Sequence, residues 1–185
     1  MRARLFWLAA ALFLFLILHT GYLLYAPGFA LGRSIAASGV AIDSPSFRVL
    51  LQADQSKLFP TYPASSVFGL CAYDISRQNA RIAAVMPDSF WTLTVYSSTG
   101  KVIYALNSEQ SGTGTFVVNL NKAPSLLESL LKSNADAVTT LDGWTVAATE
   151  PKGFAVIWVP LREAVQRSAI EAKLAKTGCA AVAAS

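Results

Sequence analysis

The sequence predicts an α+β protein: an N-terminal transmembrane helix, then a mostly antiparallel β-sheet or sandwich with a short helix and a C-terminal amphipathic helix. Three features carry that prediction: an uncharged apolar run near the N-terminus, a succession of short apolar or alternating segments separated by turn residues, and a helical pattern close to the C-terminus. The chain has 185 residues, which suits one domain once the anchor is set aside. The expected organisation is a cytoplasmic tail and anchor over 1–25, a tether over 26–45, an α+β domain over 46–178, and a frayed tail over 179–185.

Leu5 to Tyr25 contains no charge, and as a helix it would be about 31 Å long, close to the roughly 30 Å of a bilayer's hydrocarbon core. Trp7, Tyr22 and Tyr25 stand near its ends, where amphipathic rings favour the interface. A cleaved signal peptide is the rival reading, with Gly28-Phe29-Ala30 as its cleavage site, but a signal core usually has only about 7–15 apolar residues. Arg2 and Arg4 precede the run, and flanking cations stay inside, so the expected placement is a single-pass bacterial inner-membrane protein with its C-terminal domain in the periplasm. His19 lies near the outer end of the run, within reach of the headgroups.

The net charge of +4 owes two units to Arg2 and Arg4, leaving 13 basic and 11 acidic residues beyond them. No Lys/Arg cluster with interleaved aromatics occurs, which argues against nucleic acid as a partner. The lipid bilayer is the partner that the composition does imply.

Past the tether, Phe47 to Ala53 fits a strand or a helix, and Lys57 to Ala64, with Pro60 and Pro63, reads as irregular. Val67 to Ile75 reads as a buried strand and Arg81 to Val85 as a second. Trp91 to Tyr96 alternates strictly, Ser97 to Gly100 turns the chain, and Val102, Tyr104 and Leu106 alternate on the return, predicting a β-hairpin. Asn107 to Thr115 reads as a polar loop and Thr115 to Leu120 as another strand. Pro124 to Lys132 has the leucine spacing of a short helix, and Asp142-Gly143 between Val138–Leu141 and Trp144–Ala148 predicts a second hairpin. Phe154 to Val159 is a strand, and Leu161 to Lys176 an amphipathic helix stopped at Gly178.

The stretch S-S-V-F-G-L-C-A-Y-D-I-S, followed by R-I-A-A-V-M-P-D-S-F-W-T-L-T-V-Y, resembles a bacterial family of unknown function, DUF twelve-fifty-four. Its short members pair a membrane helix with a C-x-Y-D-L-S strand and a Y/F-W-S-x-S/T-x-Y strand. The matching positions are Cys71, Tyr73, Asp74, Ile75, Ser76, Phe90, Trp91, Thr92, Thr94 and Tyr96, within about residues 65–110. Arg77-Gln78-Asn79-Ala80 stands where the family often has Gly-Pro. The resemblance implies a membrane-anchored, β-rich envelope protein, a companion membrane protein of the DUF twelve-fourteen type as partner, and no established activity.

Chemistry is constrained by what is missing. The sole histidine lies in the apolar run, so the remainder has no imidazole for Ser–His–Asp or Cys–His catalysis. Zinc sites use His and Cys, and two distant cysteines do not make one. No phosphate or dinucleotide fingerprint occurs. The expectation is therefore no catalytic residue, no metal and no cofactor. The alternative is a carboxylate-dependent, hydrolase-like enzyme drawing on Asp74, Asp88, Glu109, Asp136, Asp142 or Glu150. Asp88 and Asp142 sit in turns, and Asp74 is placed to cap a strand end or to pair with Arg77 or Arg81. Trp91, Tyr96, Tyr104, Trp144 and Trp158 suit either an apolar pocket or a packed core. With the hydroxyl-bearing Tyr73 and the carboxylate of Asp74, the candidate ligand-binding set is Tyr73, Asp74, Trp91 and Tyr96. Cys71 and Cys179 would form a disulfide in an oxidising compartment and pin the C-terminal helix to the sheet; the alternative is a buried free thiol at Cys71.

Overall fold

A computed structural model describes residues 2–37, 46–112, 114–124 and 143–183. The N-terminal helix, α1, spans Arg2–Ala37, and Ala3–Ala26 within it is long and apolar enough to cross a membrane. The apolar side chains of this span are exposed rather than packed on the domain. His19 stacks on Phe15 one turn earlier, with ring centroids 5.7 Å apart. Helix continues to Ala37, so the first part of the expected tether is helical; residues 38–45 lie outside the described residues.

The remainder is an α+β domain built as two packed sheets. Its described strands are β1 (Ser46–Val49), β2 (Ser66–Asp74), β3 (Asn79–Val85), β4 (Thr92–Ser97), β5 (Val102–Asn107), β6 (Thr115–Lys122), β7 (Trp144–Ala148), β8 (Lys152–Pro160) and β9 (Gly178–Val182). Helix α2 covers Gln52–Leu58, α3 is the single turn Ser108–Ser111, and α4 is Arg167–Leu174. The first sheet runs β1-β2-β8-β4-β5 and the second β7-β6-β3-β9.

The strand pattern explains the layering. β2 and β8 are buried along almost their whole length because they are interior strands covered on both faces, which is why they read as continuous apolar runs rather than alternating ones. Val67, Cys71 and Tyr73 of β2, Leu93 and Val95 of β4, and Ile157 and Val159 of β8 point inward. They meet Ile82, Phe116, Val118 and Leu120 of the second sheet. The opposite face of the first sheet carries Phe68, Leu70, Phe154 and Val156, a second apolar cluster on which Leu58 and Phe59 pack. The strict alternation of β4 corresponds to Leu93 and Val95 inward and Thr92, Thr94 and Tyr96 outward. β4 and β5 form the expected hairpin, with a register shift between Val95 and Tyr96.

Three expectations change. Phe47 to Ala53 is divided, the strand ending at Val49 and the helix beginning at Gln52, and the helix extends into the segment read as irregular. Asn107 is not the start of a plain loop: its side chain accepts from the backbone N–H groups of Glu109 and Gln110, while Gln110 accepts from the Asn107 N–H, a capping box that starts α3. Trp144–Ala148 pairs with β6 in parallel; its expected hairpin partner Val138–Leu141, with Asp136, Asp142 and residues 125–132 of the expected helix, lies outside the described residues. Parallel neighbours need a long connection. Gly143, which enters β7, has φ 110°, and a Cβ there would strike the Val117 backbone carbonyl.

The third change is the C-terminus. The helix is short, and Gly178–Val182, which takes in most of the expected frayed tail, is a strand that pairs antiparallel with β3. Cys179 is joined to Cys71 in a disulfide, with Cα atoms 6.2 Å apart. The bridge therefore ties β9, not the helix, to β2 and so links the two sheets. Glycine and alanines have poor strand propensity, so it is pairing with β3 and the crosslink that make this segment a strand.

Candidate ligand-binding surface

The four residues singled out from sequence occupy three different environments. Tyr73 is fully buried, and its hydroxyl donates to the Tyr96 main-chain carbonyl at 2.9 Å. Its ring lies over Gly153, its partner across β2 and β8; a Cβ at Gly153 would collide with the Tyr73 hydroxyl and with the Tyr96 carbonyl. Burial, with the nearby Glu150 carboxylate, pushes the Tyr73 phenol far above its ordinary pKa. The residue is a neutral donor locking two strands. Trp91 is buried between the sheets and packs on Phe116 with ring centroids 5.1 Å apart.

Asp74 stands at the end of β2. It accepts from the Ser76 backbone N–H at 2.9 Å and pairs with Lys152 at 3.3 Å, so its partner is Lys152 rather than Arg77 or Arg81. The Ser76 hydrogen bonds, aided by Lys152, hold its carboxyl below the ordinary value. Beside it, Glu150 accepts from Ser98 at 2.7 Å and from Thr99 at 2.9 Å, and these hydroxyls lower its pKa as well. Asp74 ties the β2–β3 turn to the start of β8, and Glu150 ties the β7–β8 turn to the β4–β5 turn, so both are engaged by partners within the domain. Among the described residues, no group of three or more His, Cys, Asp or Glu is placed to hold a metal ion.

Tyr96 is the member that faces outward. It stacks on Phe154, with ring centroids 5.1 Å apart, and burial raises its phenol pKa. It borders a run of aromatic rings that continues across the outer face of the first sheet. Phe59 stacks on Phe68 at 4.6 Å, Tyr62 meets Phe68 edge-on at 5.2 Å and Trp158 at 5.5 Å, and Phe90 meets Trp158 at 6.2 Å. Chain geometry brings these together: Phe68, Trp158 and Thr92 are register neighbours across β2, β8 and β4, Phe90 leads into β4, and Phe59 and Tyr62 leave the end of α2.

Two hollows border this run of rings. The first, of about 360 Å³, lies beside α2 against Phe59, Pro60, Tyr62, Pro63 and Phe68 and is mostly apolar. The second, also about 360 Å³, is bordered by Asp88, Ser89, Phe90, Ser108 and Arg162, with Trp91 at its inner side, and is mostly polar. Both volumes fall within the range of about 300–1,000 Å³ of small-molecule sites. Of the four sequence-chosen residues, Trp91 alone borders either hollow among the described residues. Trp158 belonged to the wider aromatic set read from sequence, whereas Phe59, Tyr62 and Phe68 did not. The available signal was Phe59-Pro60-Thr61-Tyr62-Pro63, aromatics alternating with prolines that prevent a strand from hiding them.

Neither a family model nor a curated protein matches the sequence. Among solved structures, the VPA0106 protein of Vibrio parahaemolyticus is similar in fold: TM-score 0.56 at 8% identity, covering 85% of this chain and 36% of that one. An uncharacterized protein from Burkholderia cenocepacia gives a TM-score of 0.43 at 8% identity, covering 80% of this chain and 38% of that one. The chain thus spans little more than a third of the solved proteins it matches.

Proposed function

We propose that this chain is a single-pass envelope protein of the DUF twelve-fifty-four kind, with Arg2 and Arg4 in the cytoplasm and the sandwich on the outside of a bacterial inner membrane, and that its sandwich binds an apolar ligand on the aromatic outer face of the first sheet. The observation carrying this reading is the partly open apolar hollow beside α2, rimmed by Phe59, Tyr62 and Phe68, on a domain that follows a helix of membrane-crossing length. A crosslink between the sheets suits an oxidising compartment and so supports the outward placement. A companion membrane protein is the partner that the resemblance implies, and the same aromatic face is where it would compete. The carboxylate-enzyme reading has less support, since Asp74 and Glu150 are engaged by Lys152, Ser98 and Thr99 at the turns.

The test uses the full chain in lipid nanodiscs, titrated with the apolar fluorophore N-phenyl-1-naphthylamine. Saturable enhancement above that of empty discs is expected; enhancement equal to empty discs contradicts the reading. A C-terminal alkaline phosphatase fusion checks the orientation, and a fusion inactive in intact cells contradicts it.

A further inference from the structure

We infer that the two hollows are the ends of one site for a single-chain amphiphile, its hydrocarbon tail beside α2 and its head, a hydrogen-bond acceptor, among Ser89, Arg162 and the Trp158 indole; this rests on the apolar-ligand reading above and specifies the ligand. The first hollow is predominantly apolar and the second predominantly polar, the two characters that an amphiphile joins. Trp158 stands between them: Tyr62, from the wall of the first, and Phe90, from the wall of the second, both lie edge-on to its ring.

Two buried donors make the junction specific. The Ser89 hydroxyl and the Trp158 indole nitrogen are enclosed by protein and, among the described residues, meet no hydrogen-bond partner. An indole N–H can only donate, and a hydroxyl can donate or accept, so an acceptor-bearing head satisfies both. Leaving such donors unpaired in the interior is costly, which favours a ligand that reaches them over a pure hydrocarbon. Arg162 adds a cation at the mouth and Asp88 an anion, so the head is selected for accepting hydrogen bonds rather than for charge. Tyr62 and Phe90 are 43% and 42% exposed, and partly exposed rings can turn outward to uncover the indole without disturbing the strands.

The experiment uses the full chain with Trp7→Phe, so that the membrane span contributes no indole fluorescence, in nanodiscs of saturated phosphatidylcholine. Quenching is titrated with 9,10-dibromostearic acid, its methyl ester, and 9,10-dibromooctadecane, and a Trp158→Phe variant identifies the Trp158 share. The acid and the ester are expected to quench that share at similar concentrations, with the alkane needing at least tenfold more. Ser89→Ala and Arg162→Gln, both outside the core, should raise the half-quenching concentration of acid and ester threefold or more and leave the alkane unmoved. An alkane as effective as the acid and the ester, or no change in either variant, overturns the head recognition while sparing the apolar-ligand reading. Absence of quenching by all three overturns both.

Discussion

The two faces of β8 are made from the same nine residues and have different lives. Ala155, Ile157 and Val159 point between the sheets and are almost wholly enclosed, among aliphatic neighbours and the inter-sheet disulfide. Phe154, Val156 and Trp158 point outward, where α2 covers one part and aromatic rings with open hollows beside them cover the rest. The inward face holds the fold through close packing, in which each methylene removed is felt. The outward face buries apolar area incompletely, an arrangement that stabilises less but leaves room for a ligand. Substitutions on the two faces should therefore separate stability from binding.

The largest loss should come from Cys71→Ala with Cys179→Ala. The crosslink closes a loop of sequence separation 108, and removing a bridge across about 100 residues costs roughly 4 kcal/mol, measurable by urea denaturation. Gly153→Val should cost about 3 kcal/mol, because the added side chain is driven into the Tyr73 hydroxyl and the Tyr96 carbonyl. Tyr73→Phe, which removes only the hydrogen bond, should cost about 1 kcal/mol by the same measurement. If Gly153→Val proves as mild as Tyr73→Phe, the tight packing assigned to the inward face is wrong.

Smaller effects belong to pH. Asp74 and Glu150 have folded pKa values below their unfolded ones. They therefore stabilise the fold above the unfolded carboxylate range, near pH 4, and that contribution disappears as pH falls through the folded values. Asp74→Asn with Glu150→Gln should flatten the acid limb of stability against pH by no more than about 1 kcal/mol, since both groups are solvent-screened. Tyr73 acts in the opposite direction: its raised value leaves stability intact below about pH 10 and erodes it as pH rises further, and Tyr73→Phe should remove that alkaline limb. The smallest stability change, within about 0.5 kcal/mol, is expected for Tyr62→Ala on the outer face, yet that variant should lose affinity for N-phenyl-1-naphthylamine severalfold.

Local patterns made much of the fold legible: the alternation of Thr92 to Tyr96 and the apolar runs of β2 and β8 are strands near their expected bounds, and Ser97 to Gly100 is the turn between β4 and β5. Features set by distant partners were not legible. β9 is a strand because β3 and Cys71 hold it, and nothing in Gly178-Cys179-Ala180-Ala181 announces that. The parallel placement of β7 beside β6 is a non-local pairing, which a local turn signal such as Asp142-Gly143 does not announce. The candidate surface was half visible. Aromatic residues could be counted, but strand parity alone does not say which face is closed by a second sheet, so Trp91 and Tyr73 were grouped with Tyr96 although they point to the other side.

The most direct test is to fill the hollow beside α2 without touching the core. Ala53 is exposed on α2 and borders that hollow. In full-length protein held in nanodiscs, Ala53→Trp should abolish saturable binding of N-phenyl-1-naphthylamine while leaving the urea midpoint of the sandwich within error of the parent. Binding that persists undiminished in this variant, or that disappears only together with folding stability, would contradict the division of labour between the two faces.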